Sequence, residues 1–113
     1  MNTYLIKKKQ DFAHVFRKGS FLNCNSFTIN YAKKSKLVSA NSPRFGIIAS
    51  KKVGNAVQRN FAKRRTKALK NIFLNCGSNK FDYILVAKKR LLNENFKIVI
   101  SQLEQTLNKI KTL

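Results

Sequence analysis

At 113 residues, 43% apolar and with nine Phe, the chain fits one compact domain over residues 1–113. Lys and Arg number 24 against four acidic residues, a formal net charge of +20 that repels itself in a compact fold unless a polyanion is present. Nucleic acid is therefore the first expected partner and an anionic membrane the second, while no apolar run reaches the ~18 residues of a transmembrane helix.

Met1 to Lys7 holds no apolar core followed by a cleavage site, so a cytoplasmic chain with no membrane role is expected. Two unpatterned Cys and a single His cannot supply the roughly four closely spaced ligands of a zinc site. Cys24 and Cys76 are read as reduced, structural thiols.

The spacing of Phe12, Val15 and Phe16 predicts a first helix from about Lys9 to Lys18, stopped at Gly19. Extended structure follows. Phe21-Leu22-Asn23 reads as a short strand, and Ser26 to Ala32 alternates large apolar residues at odd positions with Thr28 and Asn30 at even ones. Ser35 to Pro43, with the only Pro, reads as a loop. A strand from Arg44 to Val53 puts Phe45, Ile47 and Ala49 on one face and Gly46, Ile48 and Ser50 on the other.

Gly54-Asn55 turns into a helix from about Ala56 to Leu74, with Asn55 as N-cap and Gln58 placed for a capping box. The strand Asp82 to Ala87 is apolar from Tyr83 onward and is expected to be central. A last helix, about Glu94 to Lys111, carries Phe96, Val99, Ile100, Leu103, Leu107 and Ile110 on one stripe. Glu94 near its start and Lys109 and Lys111 near its end suit the helix dipole. The predicted fold is α+β, a small mixed sheet with helices against it in the order α-β-β-β-α-β-α.

Projected at about 100° per residue, the helix from Ala56 divides into two arcs. Val57, Phe61, Ala62, Ala68, Leu69, Ile72 and Phe73 fill one; Arg59, Asn60, Lys63, Arg64, Lys67 and Lys70 fill the other. Arg65 falls among the apolar residues and must reach outward or find a partner. No carboxylate occurs from Ala56 to Lys70. Unpaired cations at this spacing cost a few tenths of a kcal/mol per close pair, a penalty that a polyphosphate removes. One arc is expected to pack on the sheet and the other to present cations to a polyphosphate partner. Lys7, Lys8, Lys9, Lys33, Lys34, Lys36, Lys88, Lys89 and Arg90 extend the positive field around the molecule.

The run Lys51-Lys52-Val53-Gly54-Asn55-Ala56-Val57-Gln58-Arg59-Asn60, followed by Lys63-Arg64, resembles the signature of the bacterial ribonuclease P protein subunit. The resemblance covers nearly the whole chain. Asp11-Phe12 with Val15-Phe16 and Gly19 is similar to the family's opening helix, Phe45-Gly46 before Ser50-Lys51-Lys52 to its central strand, and Tyr83 to Lys88 to its last strand. The chain departs from the pattern at Phe61, where the family usually has a second Arg after Arg59-Asn60. By the projection, Phe61 lies in the apolar arc and is expected to pack without disturbing the basic face.

The resemblance implies a ribosomal protein S5 domain 2-like fold with a left-handed crossover around the basic helix, where the general rule favours a right-handed one. It implies a subunit of an endoribonuclease that matures the 5′ ends of precursor tRNA. Its RNA subunit would bind the magnesium ions and carry out catalysis, with no cofactor in the protein itself and no protein partner required. Lys51, Lys52, Arg59, Asn60, Lys63, Arg64, Arg65 and Lys67 would meet ribonuclease P RNA. The even-numbered sheet face, flanked by the first helix, would hold the precursor's 5′ leader, lined by Phe12, Phe16, Thr28, Asn30, Ile48 and Ser50. An open, partly polar sheet face beside aromatic rings suits single-stranded RNA. By spacing alone, Phe12 and Phe16 read more readily as ordinary core residues; the resemblance brings the cleft-rim reading level with that.

Asp11, Asp82, Glu94 and Glu104 are scattered and His14 stands alone on a cationic helix, so no residue group for self-sufficient hydrolysis is expected. A ribosomal or other structural RNA-binding protein without a role in cleavage is the alternative reading.

Overall fold

The computed structural model describes residues 5–34 and 43–112; most of the expected loop from Ser35 to Pro43, with Lys36, lies outside them. In chain order the elements are α1 (Lys9–Lys18), β1 (Ser20–Asn23), β2 (Phe27–Lys33), β3 (Arg44–Ile48), α2 (Ala56–Lys67), α3 (Lys70–Cys76), β4 (Phe81–Ala87) and α4 (Phe96–Lys111). A short 3₁₀ turn, Lys89–Leu92, precedes α4. The strands form one sheet in the order β1-β2-β4-β3, antiparallel except for the parallel β3–β4 pair. This is the α+β layout and element order predicted, with β4 central as its apolar run requires. Among the described residues, no helix is long and apolar enough to cross a membrane.

The strand register sorts side chains onto two faces. Phe27, Ile29, Phe45, Tyr83 and Leu85 point to one of them. There they pack with Ala62, Leu69 and Phe73 of the α2–α3 segment and with Val99, Leu103, Leu107 and Ile110 of α4. The rings of Phe45 and Phe73 stack with centroids 4.3 Å apart. Each fully buried side chain of this size contributes roughly 1.5–3 kcal/mol, so this face anchors the domain. The other face carries a smaller cluster, where Val15 of α1 packs on Ala32 and Ile84, with Phe12, Ile48 and Val86 against them.

Three expectations change. The strand from Arg44 stops at Ile48, because Ser50 to Val53 forms a turn closed by Val53 N–H donating to the Ser50 carbonyl at 3.0 Å. The helix predicted from Ala56 to Leu74 divides at Ala68–Leu69. There Leu69 N–H bonds Thr66 rather than the residue four back, while Thr66 Oγ1 bonds the Ala62 carbonyl, a pattern that bends helices. The break lets Leu69 and Phe73 both reach the core. Finally, α4 begins at Phe96 with Asn95 as its N-cap, leaving Glu94 outside the helix, where Arg90 grips it at 2.8 Å.

Candidate nucleic-acid interface

Cross-strand pairing arranges the α1 side of the sheet in rows. Asn23, Thr28, Val86 and Ile48 form one row; Phe21, Asn30, Ile84 and Gly46 the next; Ala32, Asp82 and Arg44 the third. α1 lies over the second and third. Phe12 packs against Gly46, where a β-carbon would fall 2.8 Å from the ring. Val15 sits on Ala32 and Ile84. At the far end, the backbone at Gly19 approaches the Tyr31 carbonyl too closely for any side chain. The first row is left open.

Helix geometry decides which side of α1 borders that row. With Phe12 and Val15 facing the sheet, a step of about 100° per residue puts Phe16 on one flank and Asp11, His14 and Lys18 on the other. The second flank points away from the open row: His14 Nε2 lies 3.1 Å from the Lys33 carbonyl, and Asp11 lies 3.7 Å from Arg44. Phe16, 47% exposed, therefore overhangs the open row. Phe12 is instead half-buried in the packing of α1. Of the two readings left open by spacing, Phe12 takes the core and Phe16 the rim.

The open row is polar and pre-ordered at one end and apolar at the other. Thr28 Oγ1 donates to Asn23 Oδ1 at 2.8 Å, and Lys88 Nζ donates to the same oxygen and to the Cys24 carbonyl, both at 2.7 Å. Val86 and Ile48 are half-buried. Asn30 sits in the next row, its amide without a partner among the described residues. Ser50 stands beyond the end of β3 in the turn, where its Oγ accepts from Lys52 N–H at 3.4 Å. Phe21, 63% exposed, is on this face beside Asn30, a placement missed in the sequence. Its odd number puts it with the core set. The turn between β1 and β2, closed by Cys24 N–H to the Phe27 carbonyl at 2.8 Å, reverses that parity. The sequence does not single out Asn23, and Lys88 stands there only as one cation among several, because their contacts span strands.

From the end of β3 the chain passes through Lys51 and Lys52, both exposed, into α2 on the opposite face of the sheet. Gly54 takes φ +151°, the conformation that favours glycine. The predicted capping box is present: Gln58 N–H donates to Asn55 Oδ1 at 2.9 Å and Asn55 N–H to Gln58 Oε1 at 2.8 Å. This fixes the direction of α2. Asn60, Lys63, Arg64 and Lys67 are exposed and Arg59 half-exposed.

The buried stripe of α2 is narrower than the predicted arc, comprising Ala62 and Thr66 and continuing into Leu69 and Phe73. Val57, 75% exposed, and Phe61 lie outside it. Arg65 has found a partner: Nη2 donates to the Glu94 carbonyl at 2.7 Å, and its guanidinium lies 5.5 Å from the Phe61 ring and 5.2 Å from Phe96. It is half-buried and held to α4. The Glu94 carboxyl nearby is kept below the ordinary carboxylate range, first by its hydrogen bond from Arg90. Among the described residues, no three His, Cys, Asp or Glu are grouped so as to hold a metal ion.

A sequence model of the Ribonuclease P family matches residues 1–111. The chain is similar to the ribonuclease P protein component of a Nitratiruptor species, at 36% identity over 112 residues, covering 94% of this chain and 91% of that protein. It is 34% identical over 108 residues to the corresponding component of Shouchella clausii, covering 96% and 86%. Its fold is similar to that of a Staphylococcus aureus RNase P protein mutant with defective mRNA degradation activity. That similarity has a TM-score of 0.78 and 26% identity, over 98% of this chain and 90% of the other.

Proposed function

The chain belongs to the ribonuclease P protein family, and from that premise we propose that it meets two RNAs with opposite faces of one sheet. As a protein component of ribonuclease P, it is one subunit of an endoribonuclease, and ribonuclease P RNA is its partner. α2 is the surface for that RNA. Arg59, Lys63, Arg64 and Lys67, with Asn60 among them and Lys51 and Lys52 before them, track phosphates without a competing carboxylate. Arg65 supports this surface from behind. The open row beneath Phe16 takes the single-stranded 5′ leader of precursor tRNA. Thr28 and Asn30 offer hydrogen bonds, and Phe16 a ring on which a base stacks.

Phosphodiester hydrolysis, and the magnesium ions for it, belong to the RNA subunit. The protein orients the leader and offsets phosphate repulsion in the cytoplasm, where tRNA precursors are made. The observation that carries this reading is the exposed, cationic, carboxylate-free face of α2 on one side of the sheet and an aromatic-rimmed open row on the other. A photo-cross-linker placed in turn on a cysteine at position 30 or 63, in a variant lacking the thiols of Cys24 and Cys76, tests the division. Position 30 should join the leader and position 63 the RNA subunit. Both positions joining the same RNA would contradict it.

A further inference from the structure

Phosphate binding does not account for everything on α2. Phe61 is 37% exposed, and Val57 one turn earlier is more so. Exposing an aromatic ring forgoes the stabilisation that burial gives. The ring is also ordered: the Arg65 guanidinium lies 5.5 Å from its centroid and that of Arg64 6.0 Å. Arg65 is itself fixed by Phe96 and by the Glu94 carbonyl, so it holds the Phe61 ring in place and is not free to seek a phosphate. Arg64 also lies over the ring but is exposed. The result is a partly exposed ring with guanidinium groups over it, on a helix with no acidic residue between Ala56 and Lys70.

The partner is identified by those two properties together. A protein surface docked here would have to bring carboxylates for Arg59, Lys63 and Arg64 and an apolar groove for the ring. A duplex presents phosphates, but its base faces are already stacked on one another. An unpaired nucleotide supplies both a π-face and a phosphate. We propose that Phe61, together with the exposed guanidinium of Arg64, is a stacking platform for an unpaired base of the RNA subunit. This deepens the reading of α2 as the RNA-subunit surface and rests on it. A stacking contact is insensitive to salt where phosphate contacts are not.

The test compares wild type, Phe61→Leu and Phe61→Tyr for binding to ribonuclease P RNA across a salt series, with melting temperatures alongside. Phe61→Leu keeps an apolar side chain but removes the π-face. It should weaken binding about tenfold, the scale of one lost stack, at every salt concentration, leaving the slope of log affinity against log salt unchanged. Phe61→Tyr should bind like wild type.

Wild-type affinity in Phe61→Leu would overturn the proposal. A fall in melting temperature that parallels the affinity loss would return Phe61 to a packing role and also overturn it. The Arg59→Ala, Lys63→Ala double variant is the control for the underlying reading. If it too binds like wild type, the assignment of α2 fails; if it alone is weakened, only the platform fails.

Discussion

Arg44 grips Asp82 with two hydrogen bonds, Nε at 3.0 Å and Nη2 at 2.9 Å, across the parallel pair of β3 and β4, while the same Nη2 lies 3.7 Å from Asp11 on α1. One guanidinium thus ties the edge strand, the central strand and the helix that borders the open row. Asp82 is buried and Arg44 nearly so. The Lys34 ammonium close by is lowered from its ordinary pKa, first by burial and then by Arg44, with Asp82 opposing both. Removing Asp82 therefore leaves two cations facing each other without their carboxylate. Asp82→Ala should cost roughly 3–5 kcal/mol, as breaking a buried pair does, in urea unfolding. Asp11→Ala, at the weaker and more exposed contact, should cost about 1 kcal/mol or less. An unchanged unfolding midpoint in Asp82→Ala would remove the clamp from the account.

The entry to α2 depends on a conformation and a cap. Asn55→Ala should cost about 1 kcal/mol through loss of the capping box. Gly54→Ala should cost more, because its β-carbon would collide with Gln58 Oε1 at a φ that side chains rarely adopt. Thermal denaturation ranks the two variants. Equal melting temperatures for Gly54→Ala and wild type would show that the turn relaxes without the glycine.

The cations of α2 should act through phosphates. Arg59→Ala with Lys63→Ala should weaken binding to ribonuclease P RNA and lower the salt slope by about two units, roughly one per lost contact. Both side chains lie outside the buried stripe, so melting temperature should hold. Unchanged affinity and slope would make this face a solvated surface only.

Much of this arrangement was legible in the sequence because it is local. The bounds of α1, the capping box and the centrality of β4 follow from spacing and residue type at adjacent positions. The cations of α2 were legible for the same reason. What the sequence did not show depends on register and on packing between distant segments. Phe21 joins Asn30 only through the β1–β2 pairing. Arg65 turns inward only because Phe96 and Glu94, far along the chain, lie beside it. Phe61 was expected to pack, but burial on α2 is confined to Ala62 and Thr66, leaving the ring at the surface.

The cleft should separate from the RNA-subunit surface in binding. Phe16→Ala with Asn30→Ala should reduce the preference for precursor over mature tRNA by tenfold or more, since a stacked base is worth about 1–3 kcal/mol. Affinity for the RNA subunit should change little, because α2 is on the other face of the sheet. A destabilised protein with its precursor preference intact would assign Phe16 to the core instead.

The most direct measurement of the central claim is reconstitution. Purified protein, ribonuclease P RNA, or both together would be assayed at low magnesium on a precursor tRNA whose leader extends several nucleotides. The account predicts cleavage only when both are present, with the stimulation lost on a precursor whose leader is a single nucleotide. Cleavage of the precursor by the protein alone, or no stimulation of the RNA by the protein, would contradict it.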